Sequence, residues 1–150
     1  MHVYAMSGKR IGLGHVVRCL SLCLEARENG VKIYFYTNNL VKNLEKLFID
    51  ACDEVLQVSS VSSYIECLKN FSNPVDVVFI DDYSVYGTAQ TKIREYCKCL
   101  VIVADDFFSD YFNCSILINP NPYKVFDRVR KDIDSIDCIL EGCEYVSLKQ

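Results

Sequence analysis

The feature that most restricts how this chain can fold is a series of short runs dense in β-branched and aromatic residues. These are "HVYAM", "VKIYFYT", "EVLQVS", "VDVVFI", "CLVIVA" and "CSILIN", separated by longer segments of helical period. Several are continuously apolar rather than alternating. A strand that is apolar on both sides has to be covered on both faces, and strands separated by helices pair in parallel. The pattern therefore predicts an α/β fold with a Rossmann-like, doubly wound parallel sheet. At 150 residues, 51% of them hydrophobic, the chain suits one such domain spanning 1–150, with a tail from about 120 leading toward an interdomain linker.

The segments between the runs read as helices. From His15 to Glu28 the residues Val16, Leu20, Cys23 and Leu24 stripe one face, and Asn29-Gly30 supplies a stop. A second helix carries Leu40, Leu44, Leu47, Phe48 and Ala51. A third begins near Ser63, whose hydroxyl and the Glu66 carboxylate suit a capping box before Ile65 and Leu68 turn inward. The fourth covers about Thr88 to Lys98, with Ile93 and Cys97 toward the sheet. After Pro120 and Pro122 the pattern becomes less regular.

Charge excludes several function classes. The formal net charge is −4, and acidic and basic residues are interspersed even in "DRVRKDID", so no basic face is expected for nucleic acid. No apolar stretch approaches the roughly 20 residues that span a bilayer, and the first residues lack signal-peptide order, so no membrane insertion and a cytoplasmic location are expected. The nine cysteines lack the CxxC spacing of a zinc knuckle and read as reduced, mostly buried thiols; no metal and no cofactor are expected.

Unusual polar residues collect where the predicted strands end. The first run is followed by Gly12, Gly14 and His15, the fourth by Asp81, Asp82 and Tyr83, the fifth by Asp105 and Asp106, and the sixth by Asn119 and Asn121. In doubly wound sheets ligands bind outside the carboxyl ends of the strands, so these loops form one constellation. Glycines at 12 and 14 permit positive φ and close approach of the backbone to a ligand. His15 falls in the first helical turn, where the helix dipole favours the neutral imidazole that a general base requires. Arg18 lies three residues on, placed to hold a phosphate or carboxylate or to fix a neighbouring side chain. The plainer alternative treats His15 and the paired aspartates as helix caps and strand terminators.

The stretch "IGLGHVVRCLSLCLEARENGVKIYFYTNN" resembles the UDP-diacetamido-trideoxy-altropyranose hydrolases of pseudaminic acid biosynthesis and the related spore coat polysaccharide biosynthesis proteins. "VDVVFIDDY", "VIVADDF", "CSILINPNPY" and "LEGCEYVSLK" are similar to that family's later blocks, in the same order. The resemblance implies the amino-terminal half of a glycosyltransferase B type enzyme, with the UDP-binding carboxyl-terminal half absent from this chain or separately encoded. It implies metal-free hydrolysis of a UDP-sugar, with His15 as the base that activates water and Tyr83 as an active-site tyrosine. By the same resemblance Gly12, Gly14, Arg18, Asp81, Asp105, Asp106, Asn119 and Asn121 belong to the substrate side. Asp82 departs from the family, which often has histidine there. Two alternatives share these residues: a glycosyltransferase of surface or spore coat polysaccharide synthesis, and a non-catalytic half-domain that binds a partner.

Overall fold

The computed structural model describes residues 1–8, 13–85, 87–104, 112–121 and 136–145. Its strands are β1 (His2–Tyr4), β2 (Tyr34–Thr37), β3 (Glu54–Gln57), β4 (Val75–Ile80), β5 (Cys97–Val103), β6 (Ile116–Asn119) and β7 (Cys138–Glu141). Its α-helices are α1 (Gly14–Glu28), α2 (Glu45–Ala51), α3 (Val61–Lys69) and α4 (Gly87–Arg94). The seven strands form one sheet in the order β3-β2-β1-β4-β5-β6-β7, and every pairing is parallel. This is a Rossmann-like doubly wound sheet. Strand order reverses at β1, which pairs with β2 on one side and β4 on the other, with Tyr4 opposite both Tyr36 and Ile80. α1, which follows β1, packs on one face of the sheet and α4, which follows β4, on the other, the arrangement in which ligands bind at the carboxyl ends of the strands.

Alternation along the strands divides the core into two layers. On one face Val3, Ala5, Phe35, Phe79, Val101 and Val103 pack with Val16, Cys19, Leu20 and Cys23 of α1 and with Phe48 and Ala51 of α2. On the other, Tyr4, Tyr36, Val78, Ile80, Leu100, Ile102 and Leu117 pack with Tyr64, Ile65 and Leu68 of α3 and Ile93 of α4. Each buried Leu, Ile, Val or Phe contributes about 1.5–3 kcal/mol relative to exposure, which holds the helices to both faces without any disulfide; all nine cysteines are free thiols. α1 ends at Gly30, whose φ of +79° is the left-handed conformation that stops a helix. Before that stop, Arg27 donates to the carbonyls of Ile49, Asp50 and Cys52 at 3.0, 3.2 and 2.8 Å, tying α1 to the carboxyl end of α2.

Several local expectations are corrected. The segment after residue 120 contributes β7, which extends the sheet beside β6; as a four-residue edge strand with one exposed and three half-buried positions, it has little apolar signal. The cap of α3 is Ser60, with Ser63 three residues later: Ser60 Oγ accepts the Ser63 N–H at 3.2 Å and Ser63 Oγ accepts the Ser60 N–H at 3.0 Å. Glu66 instead accepts from Lys69 at 2.7 Å on the exposed side. The second helix is short, preceded by a 3-10 turn at Lys42–Leu44, so Leu40 and Leu47 stay exposed and only Phe48 and Ala51 are buried. Cys97 begins β5 rather than ending α4, which stops at Arg94. No helix of the described residues is long and apolar enough to cross a membrane.

Candidate active site

The site begins with Asp81, the residue immediately after β4. Its N–H donates to the Tyr4 carbonyl at 3.1 Å, continuing the β1–β4 ladder by one bond past the regular strands. Phe79 belongs to the α1 layer and Ile80 to the opposite one, so alternation turns the Asp81 side chain toward α1. There it is only 1% exposed, a carboxylate held out of water that has to be paired.

The partners come from one face of the first turns of α1. Positions 15, 18 and 19 are spaced i, i+3 and i+4, so their side chains stand over the same strip of helix surface. His15 Nδ1 lies 2.6 Å from Asp81 Oδ1. Arg18 donates from Nε to Oδ2 and from Nη2 to Oδ1, both at 2.6 Å, the two-pronged geometry that a planar guanidinium makes with a carboxylate. The Cys19 thiol donates to Oδ2 at 3.8 Å, and burial together with the Asp81 charge pushes that thiol well above the ordinary range, keeping it a protonated donor. The Tyr83 ring stands edge-on to the imidazole, with centroids 4.7 Å apart and planes at 89°. The imidazole is thus gripped at Nδ1 and braced on its flank. His15 is 6% exposed, so the ring is buried against the aspartate and tyrosine loop.

Asp82 points the other way and holds backbone. Its Oδ2 accepts the Met6 N–H at 3.2 Å, while Oδ1 accepts the Ser84 N–H at 2.7 Å and the Ser84 hydroxyl. One carboxylate therefore joins the chain leaving β1 to the chain leaving β4. On the outer side, Asn38 completes the frame: its Oδ1 accepts the Ser7 N–H at 2.9 Å and its Nδ2 donates to the Ser7 carbonyl at 2.8 Å.

The structure thus gathers His15, Arg18, Asp81 and Tyr83 into one cluster. Asn119 and Asn121 lie at the end of β6, two strands from β4, where they form their own turn: the Asn121 N–H donates to Asn119 Oδ1 at 3.1 Å. Gly14 opens α1 without a positive φ, and a Cβ there would meet nothing within 4 Å, so the expectation of a left-handed glycine at 14 is corrected. Its conformation is already helical, which any residue adopts. Gly12, Asp105 and Asp106 lie outside the described residues. Sequence reasoning missed Cys19, which it read as a small buried hydrophobe, and the backbone-holding role of Asp82. The signal for Cys19 was its spacing of four from His15 on a helix. Among the described residues no three or more His, Cys, Asp or Glu side chains are grouped to hold a metal ion.

Comparison with known proteins is sparse. No family description matches the chain, and no solved structure matches it. The chain is similar to an uncharacterized protein of Methanocaldococcus jannaschii, with 34% identity over 117 residues. That match covers 75% of this chain and 20% of the relative, so the chain spans about a fifth of the length of the curated protein it matches.

Proposed function

We propose that this chain is the amino-terminal, catalytic half of a nucleotide-sugar hydrolase that cleaves UDP from a diacetamido-trideoxy-hexose. The observation that carries the reading is the His15–Asp81 pair, 2.6 Å apart at the carboxyl edge of the sheet and clamped by Arg18. With Asp81 accepting from Nδ1–H, the imidazole is fixed in the tautomer whose lone pair is on Nε2. Nε2 removes a proton from water as the water oxygen attacks the anomeric carbon. The bond from that carbon to the UDP oxygen breaks and UDP leaves with the electron pair. The imidazolium that forms is stabilised by Asp81, and Arg18 holds the buried carboxylate in one orientation.

Arg18 acts here as a positioning residue, since its Nε and Nη2 are both directed to Asp81. Tyr83 limits rotation of the imidazole. The UDP group is held by a second Rossmann-like half, attached or separately encoded. Because UDP is already a good leaving group, no metal or strong general acid is part of this scheme. A cytoplasmic location is part of the reading, supported by the nine free thiols, which suit a reducing compartment.

The test is UDP release from the UDP-linked diacetamido sugar by the chain joined to a UDP-binding half. His15→Asn is expected to lower turnover by about 10²–10⁴-fold, the usual worth of a positioned general base, with nucleotide-sugar binding retained. Undiminished turnover in that variant refutes the assignment.

A further inference from the structure

Buried polar groups without partners are rare in folded proteins, and each asks for an explanation. Among the described residues these atoms are Tyr4 Oη, Thr37 Oγ1, Tyr64 Oη and Asn119 Nδ2. Tyr4, Thr37 and Asn119 are the final residues of β1, β2 and β6, so three of the four stand at the carboxyl edge of the sheet. A hydroxyl leaves one hydrogen to place, but a carboxamide nitrogen leaves two. Asn119 is the most demanding of the set.

Its orientation is determined. Asn119 is 0% exposed, and its Oδ1 accepts the Asn121 N–H at 3.1 Å. Exchanging oxygen and nitrogen would set an NH₂ group against that N–H, donor against donor, so Nδ2 must be the atom turned away from Asn121. The backbone is equally fixed: the Asn119 carbonyl accepts the Gly142 N–H at 3.0 Å, and β6 pairs with β5 on its other side. Oδ1 already has a partner, and the atom left unmet, Nδ2, offers donors only. It complements a group that accepts and does not donate, such as a carbonyl oxygen, and it opposes an ammonium.

Position limits where that acceptor comes from. β6 is separated from β4 by β5 alone, which sets Asn119 about 10 Å from the Asp81 strand, a span that a hexose ring with an acylamino arm bridges. By alternation Asn119 faces the layer of Leu117, opposite Asp81, so a ligand lying across the strand ends meets side chains from both faces. We propose that the Asn119 carboxamide is a specificity-determining donor that recognises the acyl carbonyl of an acetamido substituent and discriminates against the free amine. This inference rests on the nucleotide-sugar reading above and adds to it the group that selects the substituent. A site built to pair one hydrogen-bonding group rejects the analogue that cannot pair it, because the buried donor is then left unmet.

The experiment titrates UDP-N-acetylglucosamine and UDP-glucosamine into the ¹⁵N-labelled chain joined to a UDP-binding half, following the Asn119 side-chain NH₂ signals and the His15 ring signals. The acetylated sugar is expected to move both sets and to bind at least tenfold more tightly than the amine. Asn119→Asp keeps the acceptor for the Asn121 N–H and removes the donors, so it is expected to reverse the preference toward the amine. Asn119→Leu, which has neither, is expected to abolish the preference. If the His15 signals move while those of Asn119 stay in place and both variants keep the acetamido preference, the proposal is overturned and the hydrolase reading stands. If neither sugar moves the His15 signals, the hydrolase reading fails and this proposal with it.

Discussion

The buried Arg18–Asp81 pair makes a sharp energetic prediction. Asp81 is 1% exposed and the Arg18 side chain 15% exposed, with both contacts at 2.6 Å, so the ions interact with little water between them. Opposite charges about 4 Å apart attract by about 4 kcal/mol at an effective dielectric near 20. Most of that offsets the cost of desolvating the pair, and the pair's net worth against an apolar replacement is close to zero. Removing one member is different, because the other then stays buried without the opposite charge this contact supplied. Asp81→Asn should therefore cost about 3–5 kcal/mol, a large part of a typical domain's stability of about 5–15 kcal/mol. Arg18→Met should cost less, about 2–3 kcal/mol, because His15 and Cys19 remain on the carboxylate. The double variant should be far more stable than the sum of the two losses implies, with a coupling of about 2–3 kcal/mol. Urea unfolding of the four proteins, with slopes compared to confirm two-state behaviour, measures the cycle. Losses that add to within about 0.5 kcal/mol would refute the account of Asp81 as a carboxylate whose burial depends on Arg18.

Three further outcomes follow from particular residues. His2 stacks on Tyr34, and its Nδ1 lies 3.0 Å from the Tyr36 hydroxyl; burial, reinforced by the terminal ammonium, pushes its pKa down to about 4. The unfolded chain then binds the extra proton first, so the stabilisation is complete above the unfolded value near 6.5 and is lost as pH falls through about 4. It amounts to about 3 kcal/mol at most. His2→Leu should remove that part of the slope in denaturation measured between these pH values, and an unchanged difference between the two proteins would count against it. Gly30→Ala places a side chain at φ +79° with no neighbour within 4 Å, so its cost of about 1–2 kcal/mol is purely conformational. Gly30→Asn should recover part of the lost thermal stability. Finally, an aromatic disulfide reagent at pH 8 should label exposed Cys138 and Cys143 quickly. Cys97 and Cys114, whose thiols burial pushes up to about 11 and about 12, should react only on unfolding. Equal rates for all four would contradict the core packing.

How much was legible in the sequence varied with how local the signal was. The six short runs became strands, and those that are continuously apolar did so because such a run tolerates burial on both faces and little else. β7 escaped notice because an edge strand is half exposed and so carries half the signal. The α3 cap was misread by one turn: Ser60 and Ser63 both have hydroxyls at plausible positions, and only the backbone conformation of Ser60, extended at φ −162°, decides which one stands outside the helix. In the candidate site the first-turn histidine and the arginine three residues on were visible as a helical face. Asp81 was assigned to the substrate side; that it is instead the common partner of His15 and Arg18 was not legible, because which face of the sheet Asp81 and Asp82 each meet is settled by packing.

Taken alone, the order of residues determined the layer architecture, the helical strip that carries His15, Arg18 and Cys19, and the stop at Gly30. Each depends on interactions within a turn or two of chain, or on the bare requirement that apolar surface be covered. What the tertiary structure decided is the meeting of His15 with Asp81, 66 positions apart in the sequence. That contact exists because β4 pairs with β1 where the strand order reverses, and pairing between distant strands is set by the packing of the whole sheet rather than by any segment of it.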